Sequence, residues 1–174
     1  MAKNKKTKSA NAKTADSLRL QDFLDLSVLL TAFSEFNLRG TGYDQKYLQT
    51  LEKVVGAETV TDILEISRTL NSEAKGNIEL QEQFIRARLL SHIKFGPIVR
   101  NIIKMWYVST WYELPQSWRD SYGTPPNDGT FLVDTYAYPE GLLWPAVGAH
   151  PPGAKAPGYA SWTEKPVISR YPKK

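Results

Sequence analysis

Few side chains in this 174-residue sequence could do chemistry, and their spacing does not group them. The two histidines, His92 and His150, lie far apart, and neither has neighbours at metal-ligand spacing. Glu113 and Glu140 have no histidine or second acid at a useful sequence distance, and cysteine is absent. The sequence contains no phosphate-binding loop, dinucleotide fingerprint, nucleophile elbow or zinc-protease motif. These features predict a protein that is not an enzyme and that binds no metal or cofactor itself.

The stretch PEGLLWPAVGAHPPGAKAPGYASW, residues 139–162, holds five prolines, four glycines and two tryptophans. Proline is incompatible with a continuous helix and with a central strand, whereas disordered segments are poor in aromatic residues. Tryptophan and tyrosine dominate protein–protein hot spots because they bury a large area at low entropic cost. The composition therefore predicts an ordered but irregular arm that packs against another surface.

The segments before the arm have apolar residues at helical spacing, which predicts a mainly α fold of about five helices. Thr41 and Thr59 are typical of helix starts and Gly56 of a helix end. The fifth helix, with Pro97 in its first turn, is apolar on nearly every side and is expected at the centre of the bundle, or against a partner chain. The predicted helices are residues 20–36, 41–56, 59–70, 78–93 and 97–114, and one short strand is predicted in TFLVDTYAY, residues 130–138.

The N-terminal tail carries the whole net charge of +4, because its five lysines face only Asp16. It is polar, so we expect residues 1–17 to be disordered, 18–114 to form the helical bundle and 115–174 to form the arm of the same domain. The tail lacks the apolar core of a secretory signal and has no arginine for a twin-arginine signal. A solvated extension is the favoured interpretation, and contact with nucleic acid or an anionic membrane is the alternative.

Several motifs share their order with one family: FLDLSVLLTAF (23–33), IIKMWYVST (102–110), FLVDTYAYPEGLLW (131–144) and YASWTEKP (159–166). In this order the chain resembles the small subunit of bacterial membrane-associated FAD-dependent sugar and alcohol dehydrogenases, the sorbitol, fructose and glucose dehydrogenase complexes. The resemblance covers roughly residues 21–166. The chain departs from the family at Ala32 and Ser109, where relatives have glycine. It also lacks the twin-arginine signal with which relatives tend to begin.

The resemblance implies a non-catalytic subunit that binds, stabilises and helps mature a large subunit of the glucose-methanol-choline type. FAD would sit in that large subunit and none in this chain, and electrons would leave through a multihaem cytochrome c subunit where one is present. The family implies a periplasmic complex at the inner membrane, whereas the N-terminus favours the cytoplasm. A stand-alone binding module that uses the basic tail is the alternative function, and a small stand-alone enzyme is a third.

The predicted partner interface consists of aromatic and apolar residues from the fifth helix and the arm. Trp144, Tyr159 and Trp162 are its expected anchors. The prolines between them suit an arm laid across a partner, because proline lowers the entropy lost when an extended segment is ordered. The competing interpretation is that the arm packs back on its own bundle and covers the end of the fifth helix. The interface residues are Trp106, Tyr107, Tyr136, Tyr138, Leu143, Trp144, Tyr159 and Trp162.

Overall fold

The computed structural model describes the backbone of residues 3–151 and the side chains of residues 15–151. It confirms a mainly α fold. The helices are α1 (Lys3–Thr31), α2 (Glu35–Gly40), α3 (Asp44–Val55), α4 (Ala57–Ala74), α5 (Ile78–Phe84), α6 (Phe95–Val108), α7 (Gln116–Tyr122) and α8 (Leu143–Val147). A π-helical segment, Ile85–Leu90, continues α5, and a 3₁₀ turn, Tyr138–Glu140, precedes α8.

The first helix differs from the prediction at both ends. It begins at Lys3, so the backbone is helical over most of the tail for which the sequence predicts disorder. The tail contains no proline or glycine, and a helix already formed from residue 18 onward can propagate into it without a new nucleation step. At the other end α1 stops at Thr31, before Phe33, because Ala32 takes a left-handed conformation with φ +60°.

The fourth predicted helix has a different buried face from the one that its spacing indicates. Regular α spacing predicts Phe84 and Ala87 as inward positions. Phe84 is partly buried against the core but Ala87 is exposed, and the fully buried residues there are Ile85 and Leu89. The π-helical segment explains the shift, because its wider turn changes the phase of the side chains relative to an α-helix. Leu80, also predicted to face inward, is exposed. Of the two alternatives for the last inward position, Leu90 is partly buried against the core and Ile93 is exposed.

Helix α6 is central, as predicted, but it is shorter than its apolar sequence suggests. It ends at Val108 because Ser109 is left-handed, with φ +54°. Thr110 and Trp111 then form strand β1, which pairs antiparallel with strand β2, Phe131–Leu132. The predicted strand is therefore confirmed at only two residues. One face of α6 is buried in the common core, through Phe95, Ile98, Val99, Ile102, Met105 and Trp106.

Candidate partner interface

Trp106 lies in the core of the bundle rather than at its surface. Its side chain is 1% exposed, and its indole Nε1 donates a hydrogen bond to the Ser27 hydroxyl at 3.0 Å. Its ring stacks on Phe23 and meets Tyr47 edge-on at 4.9 Å between centroids. The placement of Trp106 in the predicted interface is therefore wrong, because a side chain enclosed by α1 and α3 has no surface to offer a partner.

Tyr107, the next residue on α6, is half-buried between the end of α1 and the arm. Its hydroxyl donates to the carbonyl oxygen of Thr31 at 3.0 Å, and its ring meets Phe33 edge-on. The Thr31 carbonyl belongs to the last turn of α1, where carbonyl groups have no partner within the helix. Tyr107 thus joins the ends of α1 and α6 and supports the surface on which the arm rests.

The arm is attached to the end of α6 by main-chain hydrogen bonds. The Val133 N–H donates to the Ser109 carbonyl at 2.8 Å, and the Leu142 N–H donates to the Trp106 carbonyl at 2.9 Å. Between them Gly141 approaches so closely that a Cβ atom there would lie 2.6 Å from the Tyr107 carbonyl oxygen. The arm from residue 131 to 148 therefore packs on its own bundle, which is the competing interpretation given by the sequence.

Ser109 connects this contact to the core. Its hydroxyl donates to the Ala137 carbonyl at 2.9 Å and lies 2.9 Å from the Tyr47 hydroxyl. Ser109 and Ala137 are both fully buried, so this polar group is enclosed and satisfied within the chain. Burial raises the pKa of the Tyr47 hydroxyl to about 12, and the hydrogen bond with Ser109 opposes part of that rise.

An ion pair fixes the loop of the arm that precedes Ala137. Lys46 on α3 pairs with Asp134, and Asp134 also accepts a hydrogen bond from the Tyr136 N–H at 2.7 Å. The hydrogen bond from Lys46, and after it the one from the Tyr136 backbone, hold the pKa of Asp134 below its usual range. The backbone that carries Tyr136 is thus held in place, although its side chain points to solvent.

The outer side of the arm presents an apolar and aromatic surface, which we call the arm patch. Tyr136 is 80% exposed and Tyr138 is 42% exposed. Trp144 is half-buried: its Nε1 donates to the Tyr138 carbonyl at 2.9 Å, and the two rings meet edge-on. Val147, which sequence reasoning missed, is 58% exposed and lies on the short helix α8 with Leu143. The arm patch is Tyr136, Tyr138, Leu143, Trp144 and Val147.

Tyr159 and Trp162 lie outside the described residues. Phe36 is 86% exposed on α2 and was missed because the sequence pattern continues α1 through it. The N-cap of α2 at Ser34 was the available signal for a helix break there.

Two of the side chains that could do chemistry, His92 and Glu113, have partners within the fold. The Nδ1 atom of His92 accepts hydrogen bonds from the N–H groups of Lys94 and Phe95 at the start of α6. Glu113 forms an ion pair with Arg119. Within the described residues, no group of three or more histidine, aspartate or glutamate side chains is arranged to hold a metal ion.

Comparisons of the chain with protein-family models, with curated proteins and with solved structures found no match. None of the helices in the described part of the chain is long and apolar enough to cross a membrane.

Proposed function

We propose that this chain is a non-catalytic subunit that binds and stabilises the FAD-containing large subunit of a sugar or alcohol dehydrogenase. The observation that carries the proposal is the arm patch. Its side chains are of the types that dominate protein interfaces, and its backbone is fixed to the bundle before any partner binds. A surface ordered in advance loses less conformational entropy on association.

The identity of the partner rests on the resemblance, and the backbone of two residues supports it. Relatives have glycine at the positions of Ala32 and Ser109, and both residues have positive φ, +60° and +54°. Glycine is favoured where φ is positive because it has no Cβ. The motif positions of the family thus coincide with positions where this fold requires a left-handed residue.

Co-expression with a neighbouring gene for a large flavoprotein tests the proposal. We expect the two chains to purify together as a yellow complex, with less flavoprotein recovered when this chain is omitted. A colourless monomer that leaves the yield and flavin content of the flavoprotein unchanged would contradict the proposal. A monomer that carries nucleic acid released by salt would instead favour the stand-alone binding module.

Single substitutions in the arm patch then locate the interface. Trp144→Ala and Tyr138→Ala should weaken binding of the flavoprotein by about 30-fold, corresponding to roughly 2 kcal/mol at a hot spot. Tyr122→Ala is the matched control. Tyr122 on α7 is 43% exposed and Tyr138 is 42% exposed, but Tyr122 lies outside the patch. Equal weakening by Tyr122→Ala and Tyr138→Ala would argue against the arm patch as the interface.

A further inference from the structure

The cationic side chains of this protein are unevenly distributed between its segments. Residues 83–112 contain five arginines and lysines and no aspartate or glutamate, although the whole body of the chain is balanced in charge. This stretch forms the end of α5, the π-helical segment, α6 and β1. It is therefore a region where positive charge has to be neutralised from elsewhere in the fold, or remains available at the surface.

Ion pairing neutralises little of this charge. Elsewhere Arg19, Arg39, Lys46, Arg68 and Arg119 each pair with a carboxylate. In the stretch 83–112, Arg88 pairs with Glu73, and the other four cations form no ion pair within the part of the chain that the structure describes. Among those four, Lys94 lies over the Phe95 ring.

Of the other three, Arg86 is exposed on the π-helical segment, and Arg100 and Lys104 are exposed on α6. Arg100 and Lys104 are exposed and one helical turn apart on α6, where side chains four residues apart lie on the same face. Arg100 donates to the Leu90 carbonyl at 2.8 Å, and the exposed Arg86 lies four residues before Leu90. Arg100 and Lys104 therefore share one exposed face of α6, which we call the cationic face.

An exposed tyrosine borders this surface. The Lys104 ammonium group lies 4.5 Å from the centroid of the Tyr112 ring, and Tyr112 is 39% exposed. The Tyr112 backbone is held by the buried Asn101, whose Nδ2 donates to the Tyr112 carbonyl at 2.7 Å. The ring is therefore fixed beside the ammonium group. Arginine and tyrosine, two of the residue types on this surface, are enriched at protein interfaces.

We propose that the cationic face docks an acidic patch on the partner protein, as a second contact in addition to the arm patch. Like charges left without counter-charges favour a partner that supplies carboxylates, and such complementarity accelerates association. A nucleic acid fits less well, since proteins that bind its backbone neutralise about 6–10 phosphates and this face offers two cations. The inference rests on the proposed function and adds that the partner's contacting surface is negatively charged.

The test compares two double charge reversals in the complex with the flavoprotein. Arg100→Glu/Lys104→Glu alters the cationic face, and Lys53→Glu/Lys75→Glu is the matched control, with exposed lysines that form no ion pair within the described residues. In low salt we expect the association rate of the first variant to fall at least about 10-fold, with a weaker salt dependence, and the control to change little. Equal changes in the two variants would overturn the inference while leaving the proposed function intact.

Two further measurements separate the remaining outcomes. Lys104→Glu alone keeps the hydrogen bond from Arg100 to Leu90, so a slower association in this variant cannot result from disruption of that contact. If the wild-type chain does not bind the flavoprotein, the proposed function fails, and poly-L-glutamate and a DNA duplex serve as probes of the face. Salt-sensitive binding of poly-L-glutamate that only the face variant loses would support the inference, and no such binding, or a preference for DNA, would overturn it.

Discussion

The inner and outer sides of the arm, residues 131–148, differ in what they contact, although they share one backbone. The inner side consists of Ala137, Gly141 and Leu142, which are buried against α6. The outer side is the arm patch, where Tyr136, Tyr138 and Val147 are exposed and Leu143 and Trp144 are half-buried. The contrast indicates that neighbouring residues of a proline-rich segment can serve two purposes, with one set attaching the backbone to the bundle and the other facing outward.

The largest effect on folding stability is expected on the inner side. Leu142→Ala removes a side chain that is 3% exposed and belongs to the core, and the cavity left behind should lower the free energy of unfolding by about 3 kcal/mol. Chemical denaturation of the isolated chain measures this. A loss below about 1 kcal/mol would mean that the arm is not part of the folded core.

The second largest effect is a pH dependence of the free energy of unfolding, which arises from the Tyr47 hydroxyl beneath the arm. The pKa of Tyr47 is about 12 in the folded chain, against an ordinary value near 10, so only the unfolded chain ionises between these values. The contribution of Tyr47 is fully present below pH 10 and is lost as the pH rises to 12, by on the order of 2 kcal/mol. Between pH 9 and 12 the free energy of unfolding should fall less steeply with pH for Tyr47→Phe than for the wild-type chain. Identical slopes in the two chains would contradict the raised pKa of Tyr47.

Ala32 and Ser109, which are both left-handed, should respond oppositely to the same substitution. Ala32→Gly removes a Cβ from an exposed residue with φ +60° and should stabilise the chain by about 1 kcal/mol. Ser109→Gly relieves the same strain but leaves the buried hydroxyl of Tyr47 without the Ser109 oxygen, so a net loss of about 1 kcal/mol is expected. Stabilisation by both substitutions would mean that the Ser109 hydroxyl adds nothing to the attachment of the arm.

The same comparison indicates which features the sequence could predict. Helical spacing was sufficient for the class of the fold and for α6 at its centre, because those patterns depend on neighbours in sequence. The sequence did not predict where α1 and α6 end, because alanine and serine, unlike glycine, do not favour the left-handed conformation that Ala32 and Ser109 adopt. The residues that enclose Trp106, namely Ser27, Phe23 and Tyr47, come from two other helices, and contacts between distant segments leave no local pattern.

The smallest effect on stability, and the sharpest contrast with the inner side, is expected at Tyr136. Its side chain is 80% exposed, while its backbone N–H is held by Asp134, so Tyr136→Ala should change the free energy of unfolding by less than about 0.5 kcal/mol. If the arm patch binds a partner, the same substitution should still weaken that binding, because a tyrosine buried at an interface contributes area that the free chain leaves in water. Leu142→Ala reverses the pattern, with lower stability and, once folded, nearly unchanged affinity. Measuring unfolding and binding for both variants therefore tests whether the two sides of the arm are separable, and a parallel loss of stability and affinity in both would show that they are not.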